Sequence, residues 1–115
     1  MSEREEILLL KDILDAGNRI LKFSEGMNFN QFLDDEKTQD ACIRNFEIMG
    51  EASKFITEET MISNSEIPWR KISNYKNLLI HEYFGVNLEI VWEIIENELP
   101  DTIQFIRMLI DENDK

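Results

Sequence analysis

The chain has 115 residues and a mass of 13.6 kDa, which fits one domain spanning residues 1–115 and excludes a separate second one. Its 24 acidic and 12 basic residues give a net charge of -12. Proteins that bind nucleic acid non-specifically carry clustered Lys and Arg, so this charge excludes that class, and we expect no DNA ligand. Cys42 is the single cysteine, which excludes an internal disulfide and a multi-cysteine metal site. We expect no cofactor and no metal.

No apolar run reaches the roughly 18 residues that a membrane span requires. The chain starts with MSEREEILLL, which carries acidic residues where a signal peptide carries basic ones. We therefore expect a cytoplasmic protein without membrane contact.

The first predicted helix runs from Glu3 to about Phe23, because apolar residues recur at helical spacing. They are Ile7, Leu10, Leu14, Gly17 and Leu21, with Ile13 and Ile20 beside them. Gly26 and the stretch Met27–Asn30 end this helix, and a short helical turn at Gln31–Leu33 follows.

A second long helix is predicted from Glu36 to Ile56, with Asp34 or Asp35 as its N-cap. Its apolar face consists of Ala41, Phe46, Met49, Ala52 and either Phe55 or Ile56. The polar stretch Thr57–Glu66 is predicted to be a loop.

The second half of the chain contains four further predicted helices. Pro68 fits the first turn of a short helix that ends at Ile72. A helix from Asn74 to Phe84 stops at Gly85. Asn87 caps the helix Leu88–Asn97, Pro100 breaks or kinks the chain, and Asp101–Asp111 forms the last amphipathic helix. These elements predict an all-α, antiparallel bundle of four to five helices.

The predicted helix Asn74–Phe84 differs from an ordinary bundle helix, which has one apolar face. At about 100° per residue, its apolar side chains spread around most of the circumference, so the helix is expected to be buried by its own bundle or by a second subunit. It nevertheless carries polar residues that include Lys76, Asn77, His81, Glu82 and Tyr83. An unpaired buried polar group costs roughly 1–3 kcal/mol, so these residues need partners or a purpose.

Helical spacing brings these polar groups together. Asn77 and His81 are four residues apart and share a face, so the amide can orient the imidazole. Lys76 and Tyr83 are seven apart and share the adjoining face. His81 is the only histidine and has the side chain suited to proton transfer near neutral pH. From spacing alone, a structural role for His81 in a core or interface, and a surface role for Lys76 and Tyr83, remain open.

The segment KNLLIHEY, residues 76–83, resembles the Arg-Asn-x-x-x-His-x-Tyr signature of HEPN toxins of the HepT-like family. The resemblance continues over nearly the whole chain in the same order. It includes RNFEIMGEA at residues 44–52, Ile67-Pro68-Trp69-Arg70, HEYFGVN at residues 81–87, Val91-Trp92 and Leu99-Pro100.

This resemblance implies a HEPN-like helical bundle that forms a homodimer through the motif helix, with two motif helices facing each other across a cleft. It implies a metal-independent endoribonuclease in which the ribose 2′-hydroxyl of RNA attacks the phosphate. It also implies a partner, a minimal nucleotidyltransferase antitoxin, that silences the toxin by transferring AMP to the motif tyrosine.

The family pattern also assigns roles to residues of this chain. His81 would be the acid/base group, Asn77 its orienting partner and Lys76 the basic residue of the site. Tyr83 would contact the substrate or nucleotide and would accept AMP. Arg44 and Glu51 would line the same cleft from the second long helix.

The chain departs from the signature at Lys76, where the family has Arg. A guanidinium grips phosphate through two parallel hydrogen bonds, whereas an ammonium neutralises charge without clamping it. An alternative function is therefore a catalytically weakened or inactive nucleotide-binding or interaction module that partners a nucleotidyltransferase. A purely structural bundle is a third alternative, but it leaves the polar residues of a buried helix without an explanation.

Overall fold

The computed structural model describes residues 2–78 and 87–113, and every regular element in these ranges is helical. The seven α-helices are α1 Glu3–Ser24, α2 Phe29–Leu33, α3 Glu36–Ser53, α4 Glu58–Ser63, α5 Trp69–Asn74, α6 Leu88–Glu93 and α7 Leu99–Asn113. A 3₁₀ helix, Tyr75–Leu78, follows α5, and a π-helical segment, Ile94–Glu98, joins α6 to α7. The predicted all-α class is confirmed.

Helix α1 begins with a cap that the sequence encodes locally. The Ser2 hydroxyl accepts a hydrogen bond from the Glu5 backbone N–H at 3.2 Å, and the acidic first turn suits the positive end of the helix dipole. The buried face of α1 is rotated slightly about the helix axis relative to the predicted apolar face. Ile13 and Ile20 are fully buried, whereas Ile7, Leu14 and Leu21 are half-buried.

Helix α3 is the centre of the bundle, since it packs against α1 and also against α5 and the 3₁₀ helix. Asp35 is its N-cap, as predicted, and accepts a hydrogen bond from the Thr38 N–H at 3.0 Å. The helix ends at Ser53 instead of Ile56. Ile56 is buried and Phe55 is 56% exposed, so Ile56 is the one of the two that joins the core.

The prediction of a loop at Thr57–Glu66 is wrong, because this stretch contains α4. Thr57 caps α4 through its hydroxyl. The Glu6 carboxylate of α1 accepts hydrogen bonds from the Thr57 N–H at 2.9 Å and from the Thr60 hydroxyl at 3.0 Å. This contact joins residues more than 50 positions apart, so no local pattern reveals it.

Of the two outcomes predicted at Pro100, the break does not occur, and the kink stays a prediction. Helix α6, the π-helical segment and α7 follow each other without a gap from Leu88 to Asn113, and Asn87 caps this run as predicted. A proline inside an α-helix lacks an N–H and clashes with the carbonyl four residues earlier. The wider π turn directly before Pro100 offers the space that a regular α-turn lacks, so the helix continues.

Within the described residues, no helix combines the length and the apolar character that crossing a membrane requires.

Candidate functional site

The first two motif residues, Lys76 and Asn77, lie on the 3₁₀ helix directly after α5. Asn74 ends α5 instead of starting a new helix. The predicted α-helical spacing therefore does not apply at the start of the motif, since a 3₁₀ helix has three residues per turn. His81 and Tyr83 lie outside the described residues, as does the segment 79–86 as a whole. The pairing of Asn77 with His81 and of Lys76 with Tyr83 stays a prediction.

The backbone of Lys76 rests directly on Gly50 of α3. A Cβ atom built on Gly50 would lie 2.8 Å from the Lys76 backbone nitrogen and 3.1 Å from the Ile72 carbonyl oxygen. Both neighbours are backbone atoms, which cannot turn aside as a flexible side chain can. Lys76 can therefore occupy this position only because residue 50 is a glycine.

Tyr75 anchors the 3₁₀ helix from the core side. Its ring meets the ring of Phe46 edge-on at a centroid distance of 4.9 Å, a favourable geometry for two aromatic side chains. Its hydroxyl is buried, and no hydrogen-bond partner for it occurs in the described part of the chain. Burial raises the pKa of Tyr75, and the negative charge of Glu98 raises it further.

Lys76 is half-buried, and within residues 2–78 and 87–113 no carboxylate forms an ion pair with it. The lysines and arginines that do pair with a carboxylate include Lys71 with Glu98 at 2.8 Å and Lys54 with Glu51 at 3.3 Å. A lysine without a paired carboxylate attracts an anion more strongly than a lysine whose charge an ion pair already neutralises. Lys76 is thus suited to hold a phosphate.

Arg44 and Glu51 occupy a different part of the surface of one chain. They are two turns apart on α3 and line a groove of about 310 Å³ with Leu9 and Asp12 of α1. Both side chains already pair within α3, Arg44 with Glu47 at 3.6 Å and Glu51 with Lys54. Asn77 lines another groove, beside α5 and α6. Lys76 and Asn77 are thus consecutive residues of the 3₁₀ helix, whereas Arg44 and Glu51 line a separate groove.

In the described ranges, no group of three or more His, Cys, Asp or Glu side chains is arranged to hold a metal ion.

Comparison with known proteins assigns the chain to a family. The model of the family described as Ribonuclease HepT-like matches residues 13–109, a range that includes the whole motif. The chain belongs to the HepT-like ribonuclease family. Its membership confirms the resemblance that the motif and its flanking segments indicated.

Several curated relatives of this HepT-like chain cover most of its length. A Methanocaldococcus jannaschii protein named "Putative RNase MJ0127" is 38% identical over 110 residues, which are 96% of this chain and 91% of the relative. A Thermococcus cleftensis protein named "Probable ribonuclease HepT" is 42% identical over 91 residues, 79% of this chain and 83% of the relative. A second M. jannaschii protein, "Putative RNase MJ1380", is 33% identical over 100 residues, with coverages of 87% and 92%. No solved structure matches the chain significantly.

Sequence reasoning gave no role to two residues that position the motif of this HepT-like protein, Gly50 and Tyr75. A signal for Gly50 was present, because a glycine inside a predicted helix often marks a close approach of another backbone. For Tyr75 the only signal was its place next to Lys76, since its contact with Phe46 joins two distant elements.

Proposed function

We propose that this HepT-like protein is a metal-independent endoribonuclease. In the proposed reaction, a ribose 2′-hydroxyl of the RNA attacks the neighbouring phosphate and cleaves the RNA. The observation that carries the proposal is Lys76, a half-buried residue without a paired carboxylate in the described ranges, in a chain of net charge -12. Family membership supports it, because the matched range covers Lys76, Asn77, His81 and Tyr83.

The proposed reaction needs one proton acceptor, one proton donor and one cation. The 2′-oxygen loses its proton and bonds to the adjacent phosphorus while the bond from phosphorus to the 5′-oxygen breaks. The products are a 2′,3′-cyclic phosphate and a 5′-hydroxyl that has gained a proton. His81 moves the protons, Asn77 orients its imidazole, and Lys76 stabilises the negative charge on the non-bridging oxygens.

We further propose that two copies form a homodimer through the motif helix, so that two sets of motif residues face one cleft. A second set of cations would help a strongly acidic protein to hold RNA, since the charge of the whole chain repels phosphate. Size-exclusion chromatography with light scattering measures the mass of the protein in solution. A monomer at micromolar concentration would argue against the homodimer.

The proposed partner is a minimal nucleotidyltransferase antitoxin. In the proposed inactivation the Tyr83 oxygen attacks the α-phosphorus of ATP, pyrophosphate leaves, and the phenol proton is lost. The added AMP places charge and bulk beside Lys76 and His81, which would block RNA. Intact-mass measurement after co-expression is expected to show the added AMP, and Tyr83→Phe is expected to remove it.

The proposed nuclease activity is tested with purified protein and single-stranded RNA in the presence of a metal chelator. We expect cleavage that leaves 2′,3′-cyclic phosphate ends, and we expect His81→Ala to abolish cleavage while the protein stays folded. Cleavage that continues unchanged in His81→Ala would remove His81 from the mechanism.

The alternative function is a catalytically weakened or inactive module that binds nucleotide and partners a nucleotidyltransferase. The observations that favour it are Lys76 in the place of the family's Arg and the net charge of -12. It predicts no cleavage even at high protein concentration, with nucleotide or partner binding still measurable.

A further inference from the structure

A groove of about 520 Å³ lies beside the motif, between the 3₁₀ helix and the run of α6 and the π-helical segment. Its apolar lining comes from Tyr75, Leu78, Ile90 and Ile94. Tyr75 and Ile94 are buried, while Ile90 is 54% exposed. A volume of this order suits a small organic ligand.

The charge of the groove is neutral despite the acidity of the chain. Lys71 and Glu98 both line the groove, and they neutralise each other through an ion pair of 2.8 Å between the Lys71 Nζ and the Glu98 Oε1. This pair joins α5 to the π-helical segment. A phosphate would therefore find no unpaired cation among the lining residues, so an uncharged group is the better occupant.

The groove also presents two side-chain amides. The side chains of Asn74 and Asn77 line it, and neither amide makes a side-chain hydrogen bond within the described residues. An amide offers both a donor and an acceptor, which is the combination found on the edge of a nucleobase. Apolar side chains next to amides thus fit a flat, uncharged ring with a polar edge.

We propose that this groove is a nucleobase subsite, which holds the unpaired base of an RNA nucleotide next to the phosphate at Lys76. The proposal rests on the RNA-cleaving function proposed above. Asn77 connects the groove to the phosphate position at Lys76. It belongs to the motif, it directly follows Lys76 in the chain, and its side chain lines the groove. The apolar side chains contact the face of the base, and the Asn74 amide contacts its edge. Asn77 contributes to that edge only the polar atom of its amide that does not bond to the His81 imidazole.

The subsite is tested by nuclear magnetic resonance titration of the intact chain with adenosine, a probe that carries no phosphate. We expect adenosine to shift the side-chain amide signals of Asn74 and Asn77 saturably, and we expect ribose alone to leave them unchanged. Because nothing is cleaved in this experiment, its result does not depend on nuclease activity. Shifts produced by inorganic phosphate and not by adenosine would overturn the proposal.

Two exposed isoleucines provide matched variants. Ile90→Ala removes an apolar side chain from the groove and is expected to weaken adenosine binding by roughly threefold or more, because contact with the base face contributes much of such binding. Ile62→Ala makes the same change on α4, where Ile62 is 70% exposed and outside the groove, and is expected to leave binding unchanged. Equal affinity of the wild type and Ile90→Ala would contradict the proposed subsite.

The same variants separate the subsite from the nuclease function. With an RNA substrate, Ile90→Ala is expected to raise KM by a similar factor while kcat changes little, since the base contact is made before and during the reaction. RNA cleavage without adenosine binding would overturn the subsite and leave the nuclease intact. Adenosine binding without cleavage would support the subsite and overturn the nuclease.

Discussion

Gly50 and Lys76 form a backbone contact that fixes the candidate site to the core of the bundle. A Cβ at residue 50 would lie 2.8 Å from the Lys76 nitrogen and 3.1 Å from the Lys76 Cβ. Gly50 is buried in the interior of α3, where glycine is less favourable than alanine by roughly 1 kcal/mol. The close packing of the 3₁₀ helix against α3 explains why glycine occupies a position at which helix propensity favours alanine.

Gly50→Ala is expected to displace Lys76 and to lower kcat for RNA cleavage by roughly tenfold or more, because small misplacements of a charged group have large catalytic effects. The displacement comes from the backbone contact, so it persists in the folded fraction of the variant. Initial rates normalised to the folded fraction measured by circular dichroism provide the test.

Gly17→Ala is the matched control. A Cβ at Gly17 would meet the Cγ1 and Cδ1 atoms of Ile103 at 2.9 and 3.0 Å, which are side-chain atoms of α7 and not backbone atoms of the motif. We expect Gly17→Ala to change the melting temperature and to leave the rate per folded molecule unaltered. Equal rates per folded molecule in both variants would show that Gly50 does not position Lys76.

The parts of the fold that were predicted correctly depend on local signals. Asp35 and Asn87 cap their helices as expected, because an N-cap bonds to N–H groups only two or three residues away. The missed helix α4 is held by Glu6, a residue more than 50 positions earlier. The break predicted at Pro100 fails for another reason, since the π turn before the proline allows the helix to continue.

In the candidate site, too, local sequence signals gave correct predictions, and contacts between distant segments were missed. The motif identified the family from residue types alone, and the comparisons confirmed it. Sequence spacing assumed α-helical geometry around Lys76, whereas the chain adopts a 3₁₀ turn there because it packs on Gly50 and Phe46. Such contacts between distant segments determine where the side chains meet, and periodicity does not record them.

Asp35→Ala is expected to destabilise the protein in a pH-dependent way. Hydrogen bonds from the backbone N–H and the hydroxyl of Thr38 lower the pKa of Asp35 below its ordinary value. A carboxyl group with a lowered folded-state pKa stabilises the fold above its unfolded pKa, and this contribution is lost as the pH falls through the folded pKa. Urea denaturation should therefore separate the wild type from Asp35→Ala at neutral pH, and the difference should shrink below about pH 4.

Asp34→Ala provides the control for this titration, since Asp34 is exposed and precedes the cap position. Its difference from the wild type should stay small at every pH. A constant difference between the wild type and Asp35→Ala down to strongly acidic pH would contradict the role assigned to the cap.

Cys42 is expected to be unreactive in the folded protein. It is 0% exposed, and burial, with a smaller effect of the nearby charge of Asp35, raises the pKa of its thiol to about 12. Because the thiolate is the reactive form, an aromatic disulfide reagent at about pH 8 should modify Cys42 roughly 100-fold more slowly in buffer than in concentrated urea. Rapid modification of the folded protein would contradict the packing of α3 against α1.

Tyr75→Phe is expected to leave stability unchanged or to increase it by about 1 kcal/mol. The hydroxyl is buried without a hydrogen-bond partner among the described residues, and removing an unpaired buried polar group removes its desolvation cost. The ring contact with Phe46 is retained. Tyr75→Leu, which loses that contact, should be destabilised, and a marked loss of stability in Tyr75→Phe would indicate a partner for the hydroxyl.

Lys76→Arg tests the departure of this chain from the family signature. A guanidinium can bind two phosphate oxygens at once, whereas the ammonium of Lys76 binds as a point charge. If the site cleaves RNA as proposed, Lys76→Arg should raise kcat/KM by roughly tenfold, because a better positioned cation stabilises the transition state more strongly. Lys76→Met removes the charge with a side chain of similar length and should reduce cleavage below that of the wild type. Activity that is absent in the wild type and appears in Lys76→Arg would identify a weakened nuclease, while the absence of cleavage in all three proteins would favour the binding module.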